Sequence, residues 1–273
     1  MKNFFFTLLV SLNLISCTPT KCSVKPPTEN VGFRRPSGPD TEMLQSIDSF
    51  VKIDIYAKKG QKAIRFAGAS GFFVSKDFVV TAKHACDVSD DLEGMFGDDE
   101  EVTVSFSGQT VKGEFFAILP VKVHPVYDLC LMQTFGAPDD ARPMPISVAP
   151  PTIGEKVFNV AAPLGMFTPG MVPMFEGRYF GDTFCESEVV KCSIYGIPIK
   201  KGSSGSPVVN KNGYLIGVIY AGVMNFENVG FSVTHKQLID FLINDEGVLV
   251  ISETKTEEES EEDAGVSYND AGE

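Results

Sequence analysis

GASGFFVSKDFVVTAKHAC, residues 68–86, is the stretch whose reading decides the fold. Its aromatic and β-branched runs, GFFVS and FVVTA, flank the turn tripeptide SKD at 75–77, so it reads strand, tight turn, strand, with a histidine directly after the second strand. The same signature recurs in SFVKIDIY, EVTVSFSG, FFAILPVKV, DLCLMQTF, EKVFNVA, KCSIYGIPI, SPVVN, YLIGVIYAG and VGFSVT, each run broken by Gly, Asn, Asp or Pro. Short strands at this spacing predict an all-β sandwich or pair of barrels and exclude alternating helix and sheet. The proline-rich crossing PDDARPMPISVAPP, residues 138–151, splits the block into two β subdomains of roughly 100 residues each. One amphipathic helix is marked at the end. Thr234 and Gln237 stand in capping-box relation, and Leu238, Phe241 and Leu242 follow at helical spacing, predicting a helix over about 235–245 against the second subdomain.

The two ends read differently from this block. Residues 1–16, MKNFFFTLLVSLNLIS, place one lysine before an apolar run from Phe4 to Ile15 that is too short to span a bilayer of roughly 30 Å, as a secretory signal does. The run closes in LISC, which resembles the lipobox of bacterial lipoproteins and implies acylation of Cys17; a plain secretory signal cut nearby is the alternative. Residues 17–45, rich in Pro, Thr, Ser and Lys, are expected to be a flexible tether. Residues 253–273 hold nine acidic side chains and one basic, a self-repelling tail expected to be disordered. That tail supplies most of the net charge of -13, so the folded part is only mildly acidic, and no basic patch argues for nucleic acid. With Cys17 assigned to lipid, five cysteines remain in an exported chain, where disulfides form. Cys185 with Cys192 is the first expected pair and Cys86 with Cys130 the second. No CxxC occurs and there are three histidines, so neither a metal nor an organic cofactor is implied.

Nucleophilic hydrolysis needs a weak nucleophile, a base for its proton, and a group that orients the base. His84 in FVVTAKHAC sits where a buried strand gives way to a loop, whereas His124 lies in the loop VKVHPVYD and His235 in the first turn of the helix. Asp128 opens the apolar run DLCLM, where a buried carboxylate would require partners such as an imidazole N–H. Asp87 is nearer to His84 in sequence but would need a tight local turn to reach the ring. Ser204 lies in GSSGSP, residues 202–207, and alone this hexapeptide is either a small polar turn or a nucleophile loop.

Taken together, TAKHAC, DLCLM and GSSGSP resemble the chymotrypsin-fold serine proteases over roughly residues 48–245. GASGFFVSKDFVVTAKHAC and VGFSVTHKQLIDFL are similar to the bacterial HtrA-like branch, here with no second peptide-binding domain expected before the acidic tail. The resemblance implies a protease domain over 46–252: six-stranded antiparallel barrels over about 46–140 and 150–235, then the C-terminal helix. It makes His84 the general base, Asp128 its orienting carboxylate, Ser204 the nucleophile, and the N–H groups of Gly202 and Ser204 the oxyanion hole. Ser203 stands where trypsins carry an aspartate, so no zymogen-style activation is expected, and Ser206 replaces the usual second glycine. Pro198, Tyr220, Ala221 and Gly222 are expected around the substrate pocket, which carries no evident charge and should accept small or medium apolar side chains. The implied activity is that of an exported, envelope-anchored endopeptidase acting on polypeptides; the alternative is an inactive pseudoprotease serving as a binding or scaffold lipoprotein.

Overall fold

The computed structural model describes residues 41–243, apart from 61, 90, 91, 93–101, 186–189, 224 and 225. All of these belong to one compact unit, Gly38–Glu273. The expected signal, the lipidation site Cys17, most of the tether and the acidic tail lie outside the described residues.

Twelve strands form two closed antiparallel barrels. The first contains β1 (Phe50–Lys59), β2 (Lys62–Ser75), β3 (Phe78–Thr81), β4 (Val102–Thr110), β5 (Phe115–Val123) and β6 (Cys130–Phe135), in the cyclic order β1-β2-β3-β6-β5-β4. The second contains β7 (Lys156–Val160), β8 (Met174–Phe184), β9 (Lys191–Gly196), β10 (Pro207–Asn210), β11 (Leu215–Val223) and β12 (Phe226–Ser232). Its cyclic order, β7-β8-β9-β12-β11-β10, repeats that of the first barrel strand for strand.

The alternation of β2 shows how the core is divided. Successive side chains on a strand point to opposite faces, so Phe73 enters the first barrel beside Val51, Ile53, Phe116 and Met132. Phe72 and Val74 point outward into a second cluster with Val209, Leu215 and Val218 of the other barrel. Leu238, Phe241 and Leu242 of the C-terminal helix, α3 (His235–Ile243), fill the same cluster. Each such side chain contributes about 1.5–3 kcal/mol by leaving water, so the inter-barrel layer is a core in its own right. The helix begins as expected: the Thr234 N–H donates to Gln237 Oε1 at 2.8 Å, and the Gln237 N–H donates to Thr234 Oγ1 at 3.2 Å. The proline-rich crossing is also structural, since it buries Met144, whose N–H donates to Phe73 O at 2.7 Å.

Two elements differ from expectation. The described chain opens in a helix, α1 (Thr41–Asp48), where a tether was expected up to residue 45. Met43 of this helix reaches the inter-barrel cluster, and Gln45 Nε2 donates to Pro143 O at 2.8 Å, so the helix is held by packing that composition does not reveal. Strand β8 has no counterpart among the expected runs. Its apolar residues, Met174, Phe175, Tyr179, Phe180 and Phe184, are spread among polar ones and glycines, only Tyr179 is buried, and the strand is paired between its neighbours β7 and β9. Both expected disulfides, Cys86–Cys130 and Cys185–Cys192, are present. Among the described residues no helix is long and apolar enough to cross a membrane.

Candidate active site

Strand β3 is buried through Thr81; Ala82 stays extended and the chain then makes a single helical turn, α2 (Lys83–Cys86). The turn lifts His84 out of the sheet while Cys86, two residues on, is bonded to Cys130 at the start of β6. Asp128 lies two residues before Cys130, so one disulfide ties the histidine-bearing turn to the strand that the aspartate-bearing loop enters. His124 builds the loop that presents Asp128. Its Nδ1 accepts the Val126 and Tyr127 N–H groups at 3.1 and 2.8 Å, and its ring stacks on Tyr127 at 4.2 Å. Asp87 instead accepts from Ser89 Oγ at 2.7 Å, and His235 is buried with Nε2 at 2.8 Å from Ser147 O.

His84, Asp128 and Ser204 come together across the seam between the barrels. Asp128 Oδ2 is 2.8 Å from His84 Nδ1, and Asp128 Oδ1 accepts the His84 backbone N–H at 3.1 Å. His84 Nε2 is 2.8 Å from Ser204 Oγ. An ionised carboxylate only accepts, so the Nδ1 side of the ring carries the proton and Nε2 presents its lone pair to the Ser204 hydroxyl. The imidazole is half-exposed and therefore reachable from solvent.

The loop around Ser204 is pinned carbonyl by carbonyl. Lys201 O accepts the Leu164 N–H at 2.6 Å, Gly202 O accepts Ser70 Oγ at 2.8 Å, Ser203 O accepts the Ser206 N–H at 2.9 Å, and Ser204 O accepts the Ser70 N–H at 2.8 Å. The Ser203 N–H donates to Lys200 O at 2.9 Å and the Gly205 N–H to Ile219 O at 2.7 Å. Among the described residues, the Gly202 and Ser204 N–H groups donate to no backbone carbonyl. Two amide donors flanking a serine and spent on nothing in the backbone are suited to a developing oxyanion. Glycine is required twice here. Gly202 has φ +94°, and a Cβ on it would stand 2.6 Å from Ala162 O; Gly205 has φ +81°, and a Cβ there would overlap Thr81 Oγ1 and Ser70 O. Ser206, in place of a glycine, is fully buried and satisfied by Asn159 Nδ2 at 2.7 Å.

A cleft of about 310 Å³ opens beside the histidine, lined by His84, Asp128, Tyr127, Val126 and the expected pocket residue Tyr220. Further along β11, Gly222 pairs with Gly230 of β12, and the side chain of Ile199 packs against both glycines. A Cβ on Gly230 would lie 2.8 Å from Ile199 Cγ1, and one on Gly222 would lie 3.1 Å from Ile199 Cγ2. Ala221 pairs with Phe231 in the same wall, and half-buried Pro198 immediately precedes Ile199. Ile199, Asn159 and Ser70 are site-forming residues that the sequence reading missed. Ile199 is one position from Pro198, Ser70 lies in the quoted stretch GASGFFVS within β2, and Asn159 carries no local signal at all.

Paired six-stranded barrels with one strand order, and a histidine and serine meeting across their seam, define the chymotrypsin-like fold. The sequence profile of the trypsin-like peptidase domain matches residues 69–218, more than half of the chain, and the chain belongs to that family. Among solved structures it is similar to the active form of the Rv3671c protease from M. tuberculosis, with 19% identity, a TM-score of 0.57, and coverage of 74% of this chain and 83% of that one. The inactive form of Rv3671c gives 16% identity and a TM-score of 0.56 over 76% and 94% of the two chains. The serine endoprotease from Yersinia pestis gives 19% identity and a TM-score of 0.55 over 74% and 64%. No curated protein sequence matches the chain.

Proposed function

We propose that the protein is a serine endopeptidase that cleaves polypeptides through an acyl-enzyme on Ser204. Ser204 Oγ attacks the peptide carbonyl carbon while its proton passes to His84 Nε2. Asp128 holds the imidazole in the required tautomer and balances the imidazolium charge, and the Gly202 and Ser204 N–H groups receive the oxyanion. The C–N bond then breaks as His84 gives its proton to the leaving amine. Water, deprotonated by the same nitrogen, attacks the ester, which yields a carboxylic acid and free Ser204. No step calls on a metal or an organic cofactor.

The observation that carries this reading is the unbroken chain Asp128–His84–Ser204, with each link at 2.8 Å, facing two N–H groups without a backbone partner among the described residues. An inactive scaffold would have no need of so complete a set. Stoichiometric labelling by a fluorophosphonate, abolished in Ser204→Ala, is the expected result; an unlabelled, folded wild type would refute it. Ile199 between Gly222 and Gly230 favours short apolar side chains before the scissile bond, since it occupies the depth a long one would need. The two disulfides accord with an oxidising compartment, and the LISC sequence supports export and anchoring through an acylated Cys17. Cys17→Ser should then release the protein from the membrane fraction, and a variant that stays there would remove the anchor from this account.

A further inference from the structure

Ser70 belongs to the first barrel, is fully buried, and spends its backbone and side chain on the other barrel's nucleophile loop. Its N–H donates to Ser204 O at 2.8 Å; its hydroxyl donates to Gly202 O at 2.8 Å and accepts the Ala162 N–H at 3.1 Å. Its own carbonyl accepts Thr81 Oγ1 at 2.7 Å, which fixes the strand from behind. Ala162 precedes a short turn, Pro163–Gly165, whose middle member, Leu164, has φ 55°, the one non-glycine in the left-handed region among the described residues. That conformation is disfavoured for a leucine, and such torsions persist only where the surroundings over-determine them. Here it aims the Leu164 N–H at Lys201 O, 2.6 Å away. In a trans peptide the C=O of one residue and the N–H of the next point in opposite directions. Fixing Lys201 O therefore turns the Gly202 N–H away from Leu164. Ser70, which bonds both Ala162 and Gly202, joins this turn to the loop.

We propose that Ser70 and the strained Leu164 turn together are the positioning device of the oxyanion hole, holding peptide 201–202 so that Gly202 offers its N–H to the reacting carbonyl. This deepens the serine-endopeptidase reading and rests on it. Neither group touches substrate; both act through Gly202. Ser70→Ala deletes the hydroxyl link, and Leu164→Pro, at an exposed side chain outside the core, abolishes both the donor to Lys201 and the left-handed torsion, since its ring holds φ at about -65°. Removing an oxyanion donor outright costs about 10²–10³ in kcat, so the two variants should lose about 10-fold to 100-fold in kcat with KM changed less than about threefold.

The distinguishing readout is a peptide aldehyde, whose adduct with Ser204 places a tetrahedral oxygen in the hole. Its affinity should fall by the same factor as kcat/KM, whereas a peptide bound without an adduct, measured in the Ser204→Ala background, should keep its Kd. A merely structural role would lower the melting temperature and leave the aldehyde-to-peptide affinity ratio unmoved. Folded variants that keep kcat within about twofold, or that raise KM alone, would overturn the proposal. Failure of the wild type itself to hydrolyse peptides or take up fluorophosphonate would instead sink the endopeptidase reading, so the two failures are told apart.

Discussion

Ile199→Ala should widen the specificity of the enzyme. The Ile199 side chain packs within 3.1 Å of where the Cβ of Gly222 or Gly230 would stand, so under the proposed function it limits the depth open to a substrate side chain. Alanine removes three carbons. At about 0.8 kcal/mol per buried methylene, a substrate whose side chain is longer by three carbons gains about 2.4 kcal/mol on entering the space vacated. That gain is about 60-fold in relative kcat/KM. The assay compares two peptides that differ only before the scissile bond, one with alanine and one with leucine. In the wild type the short residue should be preferred; in Ile199→Ala the ratio should shift toward the long one by about that factor. Ile199 also packs on the core of the second barrel, so the variant should lose about 1–2 kcal/mol of stability, and both rates are to be taken well below its melting temperature. A ratio that moves less than about threefold would mean that the space beside Ile199 is not where the substrate side chain goes. A wild type that cleaves fastest after lysine or arginine would fail the reasoning at an earlier step.

Two further outcomes follow from covalent and titratable groups. The Cys86–Cys130 bond closes a loop of 44 residues, for which chain entropy gives about 4 kcal/mol; the Cys185–Cys192 bond closes 7, worth about 2.4 kcal/mol. Cys86→Ser/Cys130→Ser should therefore melt earlier than Cys185→Ser/Cys192→Ser and lose more activity, since only the first bond ties the His84 turn to the strand that follows the Asp128 loop; equal losses would contradict this. Tyr195 is fully buried, and burial pushes its phenol well above the ordinary value. Above about pH 10 the unfolded chain gives up this proton and the folded one keeps it, so the unfolded state binds fewer protons and stability falls with rising pH, by up to about 1.4 kcal/mol per unit. Tyr195→Phe should show a shallower fall in thermal melts across that range, and parallel curves would discount the group.

Sequence spoke clearly wherever a residue's role is decided by its neighbours in the chain. The turn SKD between GFFVS and FVVTA, the capping pair Thr234 and Gln237, and the glycines of GSSGSP are local statements, and each appears in the structure where it was expected. The meeting of His84, Asp128 and Ser204 was legible only by resemblance, since 44 and 76 residues separate them and no local rule brings them together. What stayed hidden was decided by distant partners. Strand β8 exposes most of its side chains, and its aromatics fall on both faces, as Tyr179 and Phe180 do, so it lacks the apolar run that marks the other strands. Helix α1 is fixed by Met43 and Gln45 reaching residues about a hundred positions away. Asn159 matters because it lies beneath Ser206 and Pro207, a fact of barrel closure and not of the sequence around it.

The seam between the barrels has a consequence for how such a molecule fails. His84 and Asp128 ride on one half, Ser204 and Gly202 on the other, and three hydrogen bonds of Ser70, with Ser204, Gly202 and Ala162, cross between the halves. Each barrel is closed on itself and can keep its sheet while the docking between them loosens. Hydrolysis is thus a finer gauge of that docking than any spectrum of strand content. In mild denaturant, turnover should fade while circular dichroism still reports two intact barrels.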